Sequence, residues 1–105
     1  MLCDEVFRVV TLYELYRNQG RAGTSALVET GKICGLSIKH VRNYIRFSYL
    51  TTDILNAMEV RVIRKSVAYE LSYFNEEIQN KFYMRLISGE KITAEMLHDL
   101  RLSGL

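Results

Sequence analysis

Apolar residues recur at intervals of three and four along every long stretch of this chain, and no comparable stretch alternates with a period of two. That spacing lays an apolar stripe along one side of a helix and leaves a sheet nothing to bury, so it dictates an all-α fold. Proline is absent and glycine occurs six times, so helices end at glycines, at capping residues and at the connections themselves. At 105 residues the expectation is one domain (1–105) with one modest core. With 49% hydrophobic and 25% charged residues, a disordered chain is excluded. No run approaches the ~20 apolar residues that span a bilayer, so no membrane partner is expected. Asp4, Glu5 and Arg8 would break the apolar stretch of a signal peptide. Two cysteines, Cys3 and Cys34, make no disulfide framework. The expected location is the cytoplasm.

The periodicity resolves into about seven short helices. The first covers Cys3–Asn18, with Val6, Val9, Val10, Tyr13 and Tyr16 on its stripe, and stops at the loop Gln19–Gly23. Thr24 or Ser25 caps a second, running to about Ile33. Gly35 and Leu36 make a tight connection, and Ser37 caps a helix through roughly Tyr49. Thr51 or Thr52 caps Asp53–Glu59, with Asp53 near the positive end of the helix dipole. The β-branched stretch Val60–Ile63 is too short and isolated for a sheet and reads as a connection. Ser66 caps a helix through Ser72, Asn75 caps Glu76–Ser88 before Gly89, and Thr93 caps the last, whose face shows Met96, Leu97 and Leu100.

Roughly residues 25–47 carry a more specific pattern. A helix-turn-helix needs a small residue where its two helices touch, a glycine in the left-handed turn, and apolar residues packing the second helix on the first. Gly31, Gly35, Val41 and Tyr44 match the motif at all four places. At 100° per residue, Ile38, Val41, Tyr44 and Ile45 form the core stripe of the second helix. Lys39, Arg42, Asn43 and Arg46 fall within about 100° of one another on the opposite side. These are base-reading residue types: Arg and Lys pair with guanine O6/N7, and Asn pairs with adenine N6/N7. A merely solvated helix usually carries Glu or Asp as well, and residues 37–50 contain neither.

Net charge is only +2, but residues 32–65 hold seven cations against Asp53 and Glu59, while both flanks are mildly acidic. A basic centre is the electrostatic footprint of a polyanion partner, and a solvated face produces the same pattern. On the polyanion reading, Lys32, His40, Arg61, Arg64 and Lys65 are the expected phosphate contacts, beside a base-reading set of Lys39, Arg42, Asn43 and Arg46.

The run from Gly35 to Arg46, Gly-Leu-Ser-Ile-Lys-His-Val-Arg-Asn-Tyr-Ile-Arg, followed by Phe-Ser-Tyr-Leu, resembles the central DNA-binding domain of the ParB partition-protein family. The resemblance continues through Asp53-Ile-Leu, the segment Arg64–Ser72 and the closing Glu90-Lys-Ile-Thr-Ala-Glu-Met-Leu, and it is most specific from Thr24 to Phe74. It implies sequence-specific binding of double-stranded DNA at an inverted repeat, self-association on that DNA, an association with nucleoid or plasmid, and a role in plasmid or mobile-element partition or regulation. It also implies the recognition-helix roles for Ser37, Lys39, Arg42, Asn43 and Arg46, and a second patch at Arg64, Lys65 and Ser66. Thr51 departs from the family pattern, which has proline there, and nothing in the chain maps onto the family's CTP-binding motifs. The rival class is a protein-interaction adaptor or anti-host protein on a helix-turn-helix scaffold, because fold alone does not decide function.

Other chemistry finds little support. Gly31-Lys32 has Ala26 where a phosphate-binding loop needs glycine, and Ile33 where it needs Ser or Thr. His40 and His98 make no zinc spacing with Cys3 or Cys34, and no metal, cofactor or enzymatic activity is expected. His98 reads as a surface side chain and Cys34 as core. The aromatics Tyr69, Tyr73, Phe74, Phe82 and Tyr83 read as core at helical spacing.

Overall fold

A computed structural model describes residues 1–104 and folds them into seven α-helices, with no strand among the described residues. They are α1 (Leu2–Asn18), α2 (Gly23–Cys34), α3 (Ile38–Phe47), α4 (Thr52–Glu59), α5 (Lys65–Leu71), α6 (Glu76–Ile87) and α7 (Ala94–Leu102). The all-α expectation therefore holds, helix for helix. Their packing divides the chain into two compact units, residues 3–48 and the residues from Tyr49 onward.

The first unit is α1, α2 and α3 around Val9, Leu27 and Val41, all buried, with Tyr13, Cys34, Leu36, Ile38, Tyr44 and Ile45 partly buried against them. Burying each of the three aliphatic side chains contributes about 1.5–3 kcal/mol. The start of α2 differs from the Thr24 or Ser25 cap that the sequence suggests. The helix begins at Gly23, and extended Ala22 caps it through backbone alone. A Cβ on Gly23 would lie 3.7 Å from the Tyr13 hydroxyl, and the Arg17 guanidinium donates to the Arg21 carbonyl at 2.9 Å. Packing against α1 thus sets where α2 begins. At the other end of the motif, α3 stops at Phe47, short of Tyr49. The Ser48 hydroxyl donates to the Ile45 carbonyl, a local bond that competes with continuation of the helix.

The second unit packs α4 and α7 on α5. Ile54, Ile63, Ala68, Leu71, Phe74 and Leu97 are among its buried residues. Thr51, Asn75 and Thr93 cap α4, α6 and α7, each side-chain oxygen accepting the N–H three residues on. Ser66 does not cap α5, contrary to the sequence reading. Extended Arg64 is the cap residue, without a side-chain bond, and Ser66 lies inside the first turn. Burial of Ile63 before the helix and of Val67 and Ala68 within it fixes that start.

Buried Gln79 joins the start of α4 to the start of α6. Its Oε1 accepts the Thr51 N–H at 3.0 Å, and its Nε2 donates to the carbonyls of Tyr49 and Phe74, each at 2.9 Å. Of the five aromatics read as core, Phe74 and Phe82 are buried with ring centroids 5.9 Å apart. Tyr69 and Tyr83 are only half-buried. Tyr73 is exposed: its hydroxyl lies 3.0 Å from that of Tyr69, and the Arg101 guanidinium sits 4.0 Å over its ring. A polar tip explains the difference, since a phenol in the core would need a buried partner.

Candidate nucleic-acid interface

The turn between α2 and α3 is built from two glycines with different tasks. Gly31 is buried, and a Cβ there would fall 2.5 Å from the Leu36 carbonyl oxygen and 3.6 Å from a Val41 methyl. Its own carbonyl accepts the Leu36 N–H at 2.8 Å, which folds the turn back onto the helix end. Gly35 has φ +69° and ψ 36°, the left-handed conformation that lets α2 end in a single residue. Sequence spacing anticipated both glycines. What it lacked is that Gly31 makes room for the carbonyl of the turn as well as for α3.

From this turn α3 emerges with its buried side fixed. Val41 is fully buried, and the Tyr44 hydroxyl donates to Glu5 Oε2 on α1 at 3.0 Å. Burial, reinforced by the Glu5 carboxylate, holds the Tyr44 phenol above its ordinary pKa. The Tyr44 and Phe47 rings meet edge-on at 6.1 Å. These contacts orient the helix about its own axis, so the opposite face is presented to solvent.

Of the base-reading residues, Lys39 and Arg42 are exposed and Asn43 and Arg46 are half-exposed. The Lys39 and Arg42 side chains form no ion pair among the described residues. Ser37 is already engaged: its Oγ accepts the His40 N–H at 3.2 Å and lies 3.0 Å from His40 Nδ1. The hydroxyl placed among the base readers is first a helix cap, and the same contact orients the His40 ring. Lys32, expected on phosphate, forms an exposed ion pair with Glu29 at 3.6 Å. A pair of that kind is worth little and is easily exchanged. Arg61, Arg64, Lys65 and Ser66 are all exposed, and they belong to the second unit.

One polar cluster escaped the sequence reading. Glu70, buried on α5, accepts from Arg101 Nη2 at 3.0 Å and contacts His98 Nδ1 at 3.1 Å. His98 is exposed, as its reading as a surface side chain expects, and it also joins an α5–α7 network. Its members lie 28 and 31 residues from Glu70, so no local spacing announces them. Cys34 is half-buried against the first core, and neither it nor Cys3 is in a disulfide. Among the described residues no group of three or more His, Cys, Asp or Glu is placed to hold a metal, and no helix is long and apolar enough to cross a membrane.

No protein-family model, curated protein or solved structure matches the chain.

Proposed function

We propose that the chain is a sequence-specific double-stranded DNA-binding protein that lays α3 in the major groove. The observation that carries this reading is the two-sided build of α3. Val41 and Tyr44 hold one side, while Lys39, Arg42, Asn43 and Arg46 occupy the other with no acid among them. Lys32, His40, Arg61, Arg64, Lys65 and Ser66 supply phosphate contacts. The ParB-like pattern of the same residues favours a role in partition or regulation of a plasmid or mobile element, with an inverted-repeat site bound by paired copies. The chain acts by binding and not by catalysis. Incubated with CTP, GTP or ATP, Mg²⁺ and its DNA site, it releases no phosphate above background.

The test is selection of bound fragments from random and mobile-element DNA, which reports whether sequence matters and whether the site is palindromic. Replacing Arg42 or Asn43 with Ala then weakens the selected site by ~1–3 kcal/mol and relaxes preference at one base position. If both variants bind like wild type, α3 is not the reader. Recovery of a stoichiometric protein partner with no salt-sensitive DNA retention establishes the adaptor class instead.

A further inference from the structure

Within the first unit, a cavity of about 420 Å³ lies between α1 and the turn that leads into α3. Small-molecule sites commonly enclose ~300–1,000 Å³, with an apolar wall and a few placed polar groups. Here Val9, Cys34 and Leu36 supply the apolar wall, and Glu5, Arg8 and Tyr44 supply the polar groups.

The charges on this wall are not spent on one another. Glu5 and Arg8 stand three residues apart on α1, a spacing at which an acid and a base can pair across one helical turn. Both are exposed, and neither forms an ion pair among the described residues. Glu5 Oε2 instead accepts the Tyr44 hydroxyl at 3.0 Å, which leaves its second oxygen open. Asp4, the other acid on the lining, is met by the Met1 amino group at 4.0 Å. The cavity therefore presents one unneutralised carboxylate, one unneutralised guanidinium and a phenol beside apolar surface.

That set is complementary to a small zwitterion. A ligand ammonium donates to the open Glu5 oxygen, and a ligand carboxylate takes two parallel bonds from the Arg8 guanidinium. An apolar side chain then covers Val9, Cys34 and Leu36. A simple anion would face the Glu5 charge and a simple cation the Arg8 charge, so neither suits the site as well. A free amino acid with an apolar side chain carries all three groups. Such an occupant touches α1 on one side, and the turn and α3 on the other through Leu36 and Tyr44. These two residues already hold α3 in place, by the bond from the Leu36 N–H to the Gly31 carbonyl and by the bond from Tyr44 to Glu5. A ligand that bridges them favours the docked arrangement of α3.

We propose that this cavity is an effector site for a free apolar amino acid, which steadies α3 against α1 and so strengthens DNA binding. The coupling rests on the DNA-binding reading above, and the binding of the amino acid does not. Titration calorimetry of the full chain with L-leucine, L-valine and L-phenylalanine tests the site. Affinity for the selected duplex, with and without saturating amino acid, tests the coupling. At least one of the three binds saturably, raises the melting temperature by a few degrees and increases duplex affinity several-fold. Leucinamide and N-acetyl-leucine each lack one charge and bind about tenfold more weakly than leucine, or worse. Arg8 has no partner in the fold, so Arg8→Ala melts and binds the duplex as wild type does without ligand, yet loses the response to the amino acid. Arg8→Lys keeps part of it. Absence of saturable binding by all three amino acids overturns the proposal, and so does a response that survives Arg8→Ala. Binding that leaves duplex affinity unchanged overturns the effector role. In each case the DNA reading stands if Arg42→Ala still loses the selected site. Wild-type protein that retains no duplex overturns that reading and the coupling with it, while calorimetry still decides whether the cavity takes the amino acid.

Discussion

Gly31→Ala is the substitution that the turn tolerates least. A Cβ at this position would stand 2.5 Å from the Leu36 carbonyl oxygen, about 0.9 Å inside the 3.4 Å where ordinary contact begins. The obstructing atom is backbone, and it cannot swing aside, because the Leu36 N–H is bonded to the Gly31 carbonyl at 2.8 Å. Overpacking that forces a backbone shift costs ~1–3 kcal/mol, and a rigid clash belongs at the upper end of that range. Weakening the Leu36 bond adds ~1 kcal/mol, and the higher helix propensity of alanine returns ~1 kcal/mol. The net loss is about 3 kcal/mol. Gly35→Ala is the control: nothing lies within 4 Å of its added Cβ, so only the left-handed backbone is penalised, at ~1–2 kcal/mol. Urea unfolding followed by circular dichroism measures both, and DNA affinity should fall in the same order because the turn sets how α3 leaves α2. A Gly31→Ala protein as stable as wild type, or less perturbed than Gly35→Ala, refutes the close approach as the determinant of the turn.

Gln79→Ala removes the acceptor for the Thr51 N–H and the donor to the Tyr49 and Phe74 carbonyls. At ~1–3 kcal/mol for each group left buried and unpaired, and with Tyr49 exposed, the expected cost is about 3 kcal/mol in urea unfolding. Thr30 is fully buried on α2 and its Oγ1 has no hydrogen-bond partner, so Thr30→Val should raise stability by ~1 kcal/mol; a loss would show that the hydroxyl is satisfied. Because the folded protein holds the Tyr44 phenolic proton more tightly than the unfolded chain, this contribution is complete below about pH 10 and is lost as pH rises through the higher folded value. Tyr44→Phe should cost ~0.5–1.5 kcal/mol at neutral pH and flatten the alkaline decline in melting temperature, and an unchanged decline would assign it to other groups.

The features legible in the sequence are those whose partners lie within a few residues. Ser37, Thr51, Asn75 and Thr93 each accept an N–H three positions on, so the residue type alone marks the helix start. The starts of α2 and α5 were misplaced because Ala22 and Arg64 cap through backbone alone, and packing of Gly23 and Ile63 chose the position. Thr51 shows both cases at once. Its hydroxyl cap is readable, but its N–H bond to Gln79, 28 residues away, is not. A proline at this position would have no N–H to donate to Gln79. The division into two units left no trace of a linker, because α3 and α4 are joined by a few residues of ordinary composition.

The candidate interface was legible for a related reason. A helix-turn-helix is specified by about twenty consecutive residues, so its glycines, cap and apolar stripe constrain one another at short range. Within α3, orientation rests on Ser37, Val41 and Tyr44, and the exposed Lys39 and Arg42 opposite form no ion pair among the described residues. Surface substitutions away from such supports change stability by no more than about 0.5 kcal/mol. Lys39, Arg42 and Asn43 can therefore be exchanged with little effect on folding, which makes a binding defect at these positions interpretable as lost recognition. Arg61 is the opposite case. Its residue type is ordinary in sequence, and only the φ of +63° shows that the fold would be better served by glycine. Side chains that a well-formed helix presents to solvent are thus visible from periodicity, whereas one held against the preference of its own backbone becomes visible only once the dihedral angle is known.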